Sequence, residues 1–290
     1  MKLQQGQVAV VTGAGSGIGL ALARRFASEG LSVVLADVDK AALDAAAEQV
    51  AGNGVDTMSV VTDVADADAV SALADATYER FGAAHVVCNN AGVSGPGDPW
   101  LGPIETWTWV VGVNFWGVVH GVRAFLPRLI EQGGGHIVNT ASIAGLVPGF
   151  GPVYDASKHA VVAMTEDLYR MTQVAQLPIG VSCVCPGWIR TQILDADRNW
   201  PQEFGERPAP PPGAEIMREF VRQAIDAAPP PSLVADTVVD AVQSDRFWVF
   251  PNPEFVEMAA TRWQSITEHR NPEVMPRAPG LPDPDSLAQE

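Results

Sequence analysis

Val8-Ala9-Val10-Val11-Thr12-Gly13-Ala14-Gly15-Ser16-Gly17-Ile18-Gly19 decides the architecture of this chain. Its first four residues are a run of strand type, and Leu20, Leu22, Ala23 and Phe26 follow in a helical pattern. A strand, a glycine-rich turn and a helix start, in that order, make an anion site. Glycines let a pyrophosphate approach backbone N–H groups at the positive end of the helix. Gly13, Gly17 and Gly19 stand as Gly-x-x-x-Gly-x-Gly, not as Gly-x-Gly-x-x-Gly. Taken alone, three glycines are also compatible with a plain tight turn.

The next strand, 32–36, ends at Asp37, placed to accept hydrogen bonds from adenosine ribose hydroxyls. A carboxylate there repels a 2′-phosphate, and neither Ser16 nor Val38 supplies an arginine to receive one. NAD is therefore expected over NADP. The alternative is that Asp37 and Asp39 are turn residues before a helix over 41–50.

Beyond this unit, strands are expected at 56–61, 86–88, 136–139 and 179–184, with helical patterns such as 66–81 and 106–130 between them. That alternation means an α/β fold with a doubly wound parallel sheet in three layers. With 290 residues the chain can bury a large core as a single domain, expected over 1–270. The sequence offers no solenoid repeat and no apolar run expected to span a membrane.

Residues 1–7 are polar and lead straight into the first strand, so no signal peptide is expected. Cys88, Cys183 and Cys185 form no disulfide framework and no Cys-x-x-Cys pair, and the five histidines form no metal-binding pair. A cytoplasmic protein without a metal is the expectation. The net charge of −16 and a pI near 4.6 repel nucleic acid and anionic membranes.

Val153-Tyr154-Asp155-Ala156-Ser157-Lys158 carries the chemistry. Tyr154 and Lys158 are one helical turn apart and so share a face. A cation beside a phenol favours the phenolate and lowers its pKa, which suits a general acid/base for an alcohol or ketone. A solvated helix face is the alternative for the pair in isolation.

Taken with its neighbours, the chain resembles the short-chain dehydrogenase/reductase family over about residues 5 to 195. The glycine turn and Tyr154/Lys158 are joined by Asp63-Val64, Asn89-Asn90-Ala91-Gly92, Asn114, Ser142 and Pro186-Gly187-Trp188-Ile189-Arg190-Thr191, all in family order. The resemblance implies a Rossmann-like fold with Tyr154 as acid/base and Lys158 on the nicotinamide ribose. It implies that Ser142 binds the substrate oxygen and that Asn114 holds a proton-relaying water. On the cofactor, it implies roles for Gly13, Ser16, Gly17, Ile18 and Gly19, for Asp37 and Val38, and for Asp63 and Val64 beside adenine. Asn90 and Gly92 fall on the ribose side, and Pro186, Gly187, Ile189 and Thr191 on the carboxamide side. Two departures are His85, where the family usually has aspartate, and Cys88, where a branched aliphatic is common; both are expected beside the adenine. The loop between Ser142 and Tyr154 is also about one residue short.

After Thr191 the family pattern fades. A substrate lid is expected over about 192–230, with Trp200, Phe204 and Met217, and a linker with a packing helix is its alternative. A helix over 232–242, a last strand at 247–250 and a Pro-rich tail over 271–290 complete the chain. Ile143, Val147, Phe150 and Trp188 are the expected fixed wall of the pocket, joined by Leu146. Trp107, Trp109, Phe115, Trp116 and Phe125 are expected to form an aromatic subunit interface, giving a homotetramer or homodimer. The sum is an NAD(H)-dependent oxidoreductase for a bulky hydrophobic or aryl secondary alcohol and its ketone. An NADPH ketoreductase and a catalytically silent dinucleotide sensor are the alternatives.

Overall fold

Short runs rich in valine and isoleucine form the strands here, and each is followed by a segment of helical periodicity that folds back across the sheet. The computed structural model describes residues 1–52, 54–273 and 278–281. Its first half runs β1 (Val8–Thr12), α1 (Gly17–Ser28), β2 (Ser32–Asp37), α2 (Lys40–Ala51), β3 (Thr57–Val61), α3 (Ala67–Phe81) and β4 (Val86–Asn89). Its second half runs α4 (Glu105–Val111), a π-helical turn (Gly112–Trp116), α5 (Gly117–Glu131), β5 (Gly135–Thr140), α6 (Pro152–Val174), β6 (Ile179–Val184), α7 (Ala214–Asp226), α8 (Ser232–Ser244), β7 (Trp248–Val249) and α9 (Val256–Thr267).

The seven strands lie in the order β3-β2-β1-β4-β5-β6-β7, and every neighbouring pair is parallel. A parallel sheet needs a crossover between strands, and the helices supply it on both faces. On one face Leu22, Phe26, Leu43, Val234 and Val238 pack on the sheet; on the other Leu73, Phe125, Leu129 and Leu168 do. Strand order reverses between β1 and β4, which opens a crevice at the carboxyl ends of the strands, where such folds take their ligands.

Expected elements and observed ones agree to within one or two residues, and Asp39 and Asp66 cap α2 and α3 through their side chains. Four expectations change. Trp109 and Phe125 are buried, so only part of the aromatic set faces outward; Trp116 is 49% exposed. The continuous run Glu105–Glu131 is long and apolar enough, by length and composition, to cross a membrane. Here its Val110, Val118, Phe125 and Leu129 point into the core. His85 lies at the amino end of the sheet, accepting the Val8 N–H at 3.0 Å, far along the strands from where adenine would sit. Within the expected tail, Ala278 is buried and Pro279 accepts a hydrogen bond from Trp188, so that stretch docks on the domain; 274–277 and 282–290 lie outside the described residues.

Candidate active site

The glycine turn sits at the carboxyl end of β1 and is locked to β4. Thr12 Oγ1 accepts the N–H groups of Asn90 (2.9 Å) and Ala91 (3.1 Å) and donates to the Cys88 carbonyl (3.3 Å). Asn90 Nδ2 donates to Thr12 O at 3.0 Å, and Thr140 Oγ1 donates to Asn90 Oδ1 at 3.3 Å. Asn90 thus spends its amide holding three strand ends together. A Cβ at Gly19 would stand 2.0 Å from the Gly13 carbonyl oxygen, so only glycine lets α1 begin this close to the turn.

Ser16 occupies the N-cap of α1 without a side-chain cap bond, and the first turn carries no acidic residue. The helix start therefore keeps N–H donors and positive dipole for an anion. Gly17 faces Thr191, whose Cγ2 would lie 3.3 Å from a Cβ there, so Thr191 closes over the turn. Asp37 accepts Gly15 N–H (2.9 Å) and Asp39 N–H (3.0 Å), which places its carboxylate beside the turn. Val38 next to it is half exposed, and Lys40 pairs with Asp44 at 2.7 Å. Asp63 accepts the Ala65 N–H at 2.9 Å, while Val64 is buried against Gly117. Donors for a pyrophosphate and an acceptor for a diol, with the neighbouring Lys40 already paired to Asp44, fit a dinucleotide of the NAD type.

The second half of the site comes from β5, α6 and the π-helical turn. Ser142 caps a short turn, accepting Ala144 N–H (3.1 Å) and donating to Pro186 O (3.4 Å). Lys158 is 2% exposed; its Nζ donates to Thr140 O at 2.9 Å and lies 5.7 Å from the centre of the Tyr154 ring. A Cβ at Gly92 would stand 3.4 Å from that nitrogen. Asn114 is fully buried on the π turn, a feature that often marks functional sites. Its Oδ1 accepts Val93 N–H (2.8 Å), and its Nδ2 donates to Val93 O (3.0 Å) and Ser157 Oγ (3.0 Å). Asn114, Ser142, Tyr154 and Lys158 are thus brought to one place.

Electrostatically the pair departs from expectation. Burial pushes the Tyr154 phenol up to about 12, a hydrogen bond with Ser142 partly opposes this, and the nearby Asp155 carboxylate adds to the rise. Burial pushes the Lys158 amine down to about 8. In the chain by itself, removal from water outweighs the attraction between ammonium and phenolate.

Along the expected substrate wall, Ile143 and Val147 are buried and Phe150 meets Trp188 edge-on at 5.3 Å. Trp188 also meets Phe255 at 6.2 Å and donates its indole N–H to Pro279 O at 2.8 Å. Trp200 and Phe204 join a different cluster with Trp109, Val93, Val110 and Val153. Met217 is 37% exposed on α7. Pro186 and Gly187 lie in a loop held by the buried Asn252, which accepts Gly187 N–H (3.1 Å) and donates to Trp188 O (3.3 Å); Ile189 is also buried.

Sequence reading missed Thr12, Asn252 and the clasp of the 193–199 segment, where Arg222 binds Asp195 through both nitrogens (2.8 and 3.3 Å) and Arg218 donates to Leu194 O (2.6 Å). It also missed the buried chain Asn89 to Asn139 (2.9 Å) to Thr165 (3.0 Å). The Arg218/Arg222 pair at i,i+4 was the one local signal available for the clasp.

A family model described as short chain dehydrogenase matches residues 7–202. The chain is 38% identical to 1-deoxy-11-beta-hydroxypentalenate dehydrogenase of Streptomyces avermitilis, over 91% of this chain and 92% of that one. A short chain dehydrogenase/reductase of Burkholderia phymatum, solved in complex with NAD, superposes with a TM-score of 0.90 at 39% identity, covering 94% of this chain and 98% of that one. Actinorhodin polyketide ketoreductase, solved with NADPH, gives a TM-score of 0.71 at 32% identity, covering 86% of this chain and 97% of that one.

Proposed function

The chain belongs to the short chain dehydrogenase family, an oxidoreductase acting on CH–OH groups of a small molecule, and within that family we propose that it interconverts a bulky hydrophobic or aryl secondary alcohol and its ketone with NAD. What supports this reading is the meeting of Ser142, Tyr154 and Lys158, with the apolar Ile143 and Val147 following Ser142 in the chain and Phe150 packed edge-on against Trp188.

Gly13, Ser16, Gly17, Ile18 and Gly19 would hold the pyrophosphate, Asp37 and Val38 the adenosine ribose, and Asp63 and Val64 the adenine side. Gly92 and Lys158 would meet the second ribose, with Asn90 fixing the strand ends around it. Pro186, Gly187, Ile189 and Thr191 would line the nicotinamide side. When bound, the cofactor supplies a hydride acceptor or donor. Tyr154 exchanges the hydroxyl proton with the substrate oxygen, and Ser142 orients that oxygen by a hydrogen bond. Lys158 presents its amine to the phenol and is held in place by Thr140 O, while Asn114 fixes the π turn against Ser157 on α6.

Apolar lining draws affinity from buried area, about 25 cal/mol per Å² before ordering costs. Sugars and polyols gain little from such a wall. The segment 192–230 would act as the lid, with Trp200 and Phe204 packed at its base and Met217 reaching the pocket only on closure. An NADPH-linked reduction, as in the ketoreductase neighbour, is the competing reading; the carboxylate of Asp37 opposes it. A twofold assembly through α5 and α6 and a cytoplasmic location complete the proposal. Light scattering should give a mass above the single-chain 30.7 kDa.

The test is purified protein with NAD against a panel of secondary alcohols, read as reduced-nicotinamide absorbance. Turnover of bulky aryl or alicyclic alcohols is expected; a panel in which polyols rank first overturns the substrate class.

A further inference from the structure

Asp155 follows Tyr154 directly in α6 and is 5% exposed; its charge adds to the rise of the Tyr154 phenol, but its hydrogen bonds all go elsewhere. One of its oxygens, Oδ2, accepts three successive main-chain N–H groups: Gly149 at 2.7 Å, Phe150 at 3.1 Å and Gly151 at 3.3 Å. The Asp155 N–H donates back to Gly151 O at 2.8 Å. The loop is thus wrapped around one carboxylate oxygen.

Such a curl is not one the loop would keep unaided. Gly149 and Gly151 have φ of +128° and +145°, a region glycine enters readily and also leaves readily. Three converging N–H dipoles repel one another unless an anion sits at their focus. The carboxylate supplies that charge, and hydrogen bonds to an ionised acceptor are about twice as strong as neutral ones. At the amino end of the loop, Arg262 of α9 donates to Leu146 O at 2.8 Å. Between Leu146 and the clamped residues lies the buried Val147, and the half-buried Phe150 within the clamp meets Trp188 ring to ring at 5.3 Å. Phe150 is flanked by the two glycines, so its backbone position depends on the clamp as well as on the ring contact with Trp188.

We propose that Asp155 is a positioning residue that sets substrate selectivity, by clamping the 149–151 backbone so that Phe150 is held against Trp188 as a fixed wall. It touches neither the reacting oxygen nor the cofactor site. That the wall faces substrate rests on the proposed function; that the clamp holds the wall does not.

Two readouts separate these. In the first, amide hydrogen exchange is followed in full-length wild type, Asp155→Ala and Asp155→Asn. Exchange at Gly149, Phe150 and Gly151 should rise about tenfold or more in Asp155→Ala, as expected when a local opening is made easier. The near-isosteric Asp155→Asn keeps an acceptor oxygen without the charge and should fall between, and it serves as the folded comparison should the alanine variant be unstable. Unchanged exchange in both variants overturns the clamp. In the second, KM is measured for a bulky and a small secondary alcohol. The ratio of the two should shift about tenfold against the bulky one, the worth of roughly 1.4 kcal/mol, with NAD affinity unchanged. Faster exchange with an unaltered ratio overturns the selectivity role. Wild type that oxidises no alcohol at all sinks the proposed function, and the exchange arm then still decides the clamp.

Discussion

Lys158 Nζ stands 5.7 Å from the centre of the Tyr154 ring, and burial moves the two protons in opposite senses, the amine down to about 8 and the phenol up to about 12. Each group is driven toward its neutral form, because each would otherwise hold a charge in a site largely closed to water. The phenol of the chain alone is therefore a proton store. In the proposed reduction that proton would pass to the substrate oxygen, and in oxidation it would return.

Tyr154→Phe removes that proton while leaving ring packing and the glycine turn untouched. Turnover should fall by about two to four orders of magnitude, the usual worth of a general acid/base, with NAD affinity nearly unchanged by calorimetry. Lys158→Ala should lose both rate and cofactor affinity. Wild-type turnover in the phenylalanine variant would remove Tyr154 from the chemistry.

Asp37 takes two backbone N–H groups, from Gly15 and Asp39, which fixes its carboxylate at the mouth of the turn. A 2′-phosphate placed there would meet a fixed negative charge. Catalytic efficiency should be higher with NAD than with NADP, and Asp37→Ala should narrow the gap by relieving that repulsion. Side-by-side kinetics in which wild type prefers NADP would reverse the reading of β2.

Much of this was legible in the sequence because it is written locally. The glycine spacing, Asp37, and Tyr154 with Lys158 each encode a turn, a strand end or one helix face, and the elements around them sit where the periodicity placed them. What escaped detection is held by partners far along the chain. Asn252 meets Gly187 across 65 residues and Trp188 meets Pro279 across 91. No spacing rule links such residues. Trp109 and Phe125 were read as outward because aromatic content alone does not say which side of a helix is covered. The pKa direction of Tyr154 failed for a related reason: the lysine is visible in the sequence, whereas the degree of burial is not.

His136 makes a stability prediction with a definite sign. It is 1% exposed in β5, its Nε2 paired with Ser182 Oγ at 2.9 Å, and burial pushes its pKa down from 6.5 to about 3. The largely exposed Asp245 carboxylate, 3.9 Å from Nδ1, does not offset that burial. Below pH 6.5 the unfolded chain binds a proton that the folded chain refuses, so stability is lost as pH falls from there toward 3, by about 1.4 kcal/mol per pH unit at most. Urea midpoints across that range should slope downward in wild type, and more weakly in His136→Gln once referred to each protein's value at pH 7. Equal slopes would place the acid sensitivity elsewhere.

The contact between Trp188 and Pro279 ties the proposed pocket wall to the stretch 278–281. Trp188 is held on one side by Phe150 and Phe255 and on its polar edge by the Pro279 carbonyl, while Gly280 lies close to Ala224 of α7. The stretch 278–281 therefore spans from the fixed wall to the expected lid. A chain ending at Glu273 leaves the indole N–H without that partner and the wall without that cover. KM for bulky alcohols should rise about tenfold, in keeping with one lost hydrogen bond and some lost apolar contact, while NAD affinity stays as in wild type because no residue of the glycine turn is touched. Trp188→Phe, which keeps a ring but has no donor, should reproduce part of the rise, and combining it with the truncation should add less than the sum, since both remove the same bond. Strictly additive effects would mean that tail and tryptophan act on substrate separately, and an unchanged KM in the truncated chain would remove the tail from the pocket.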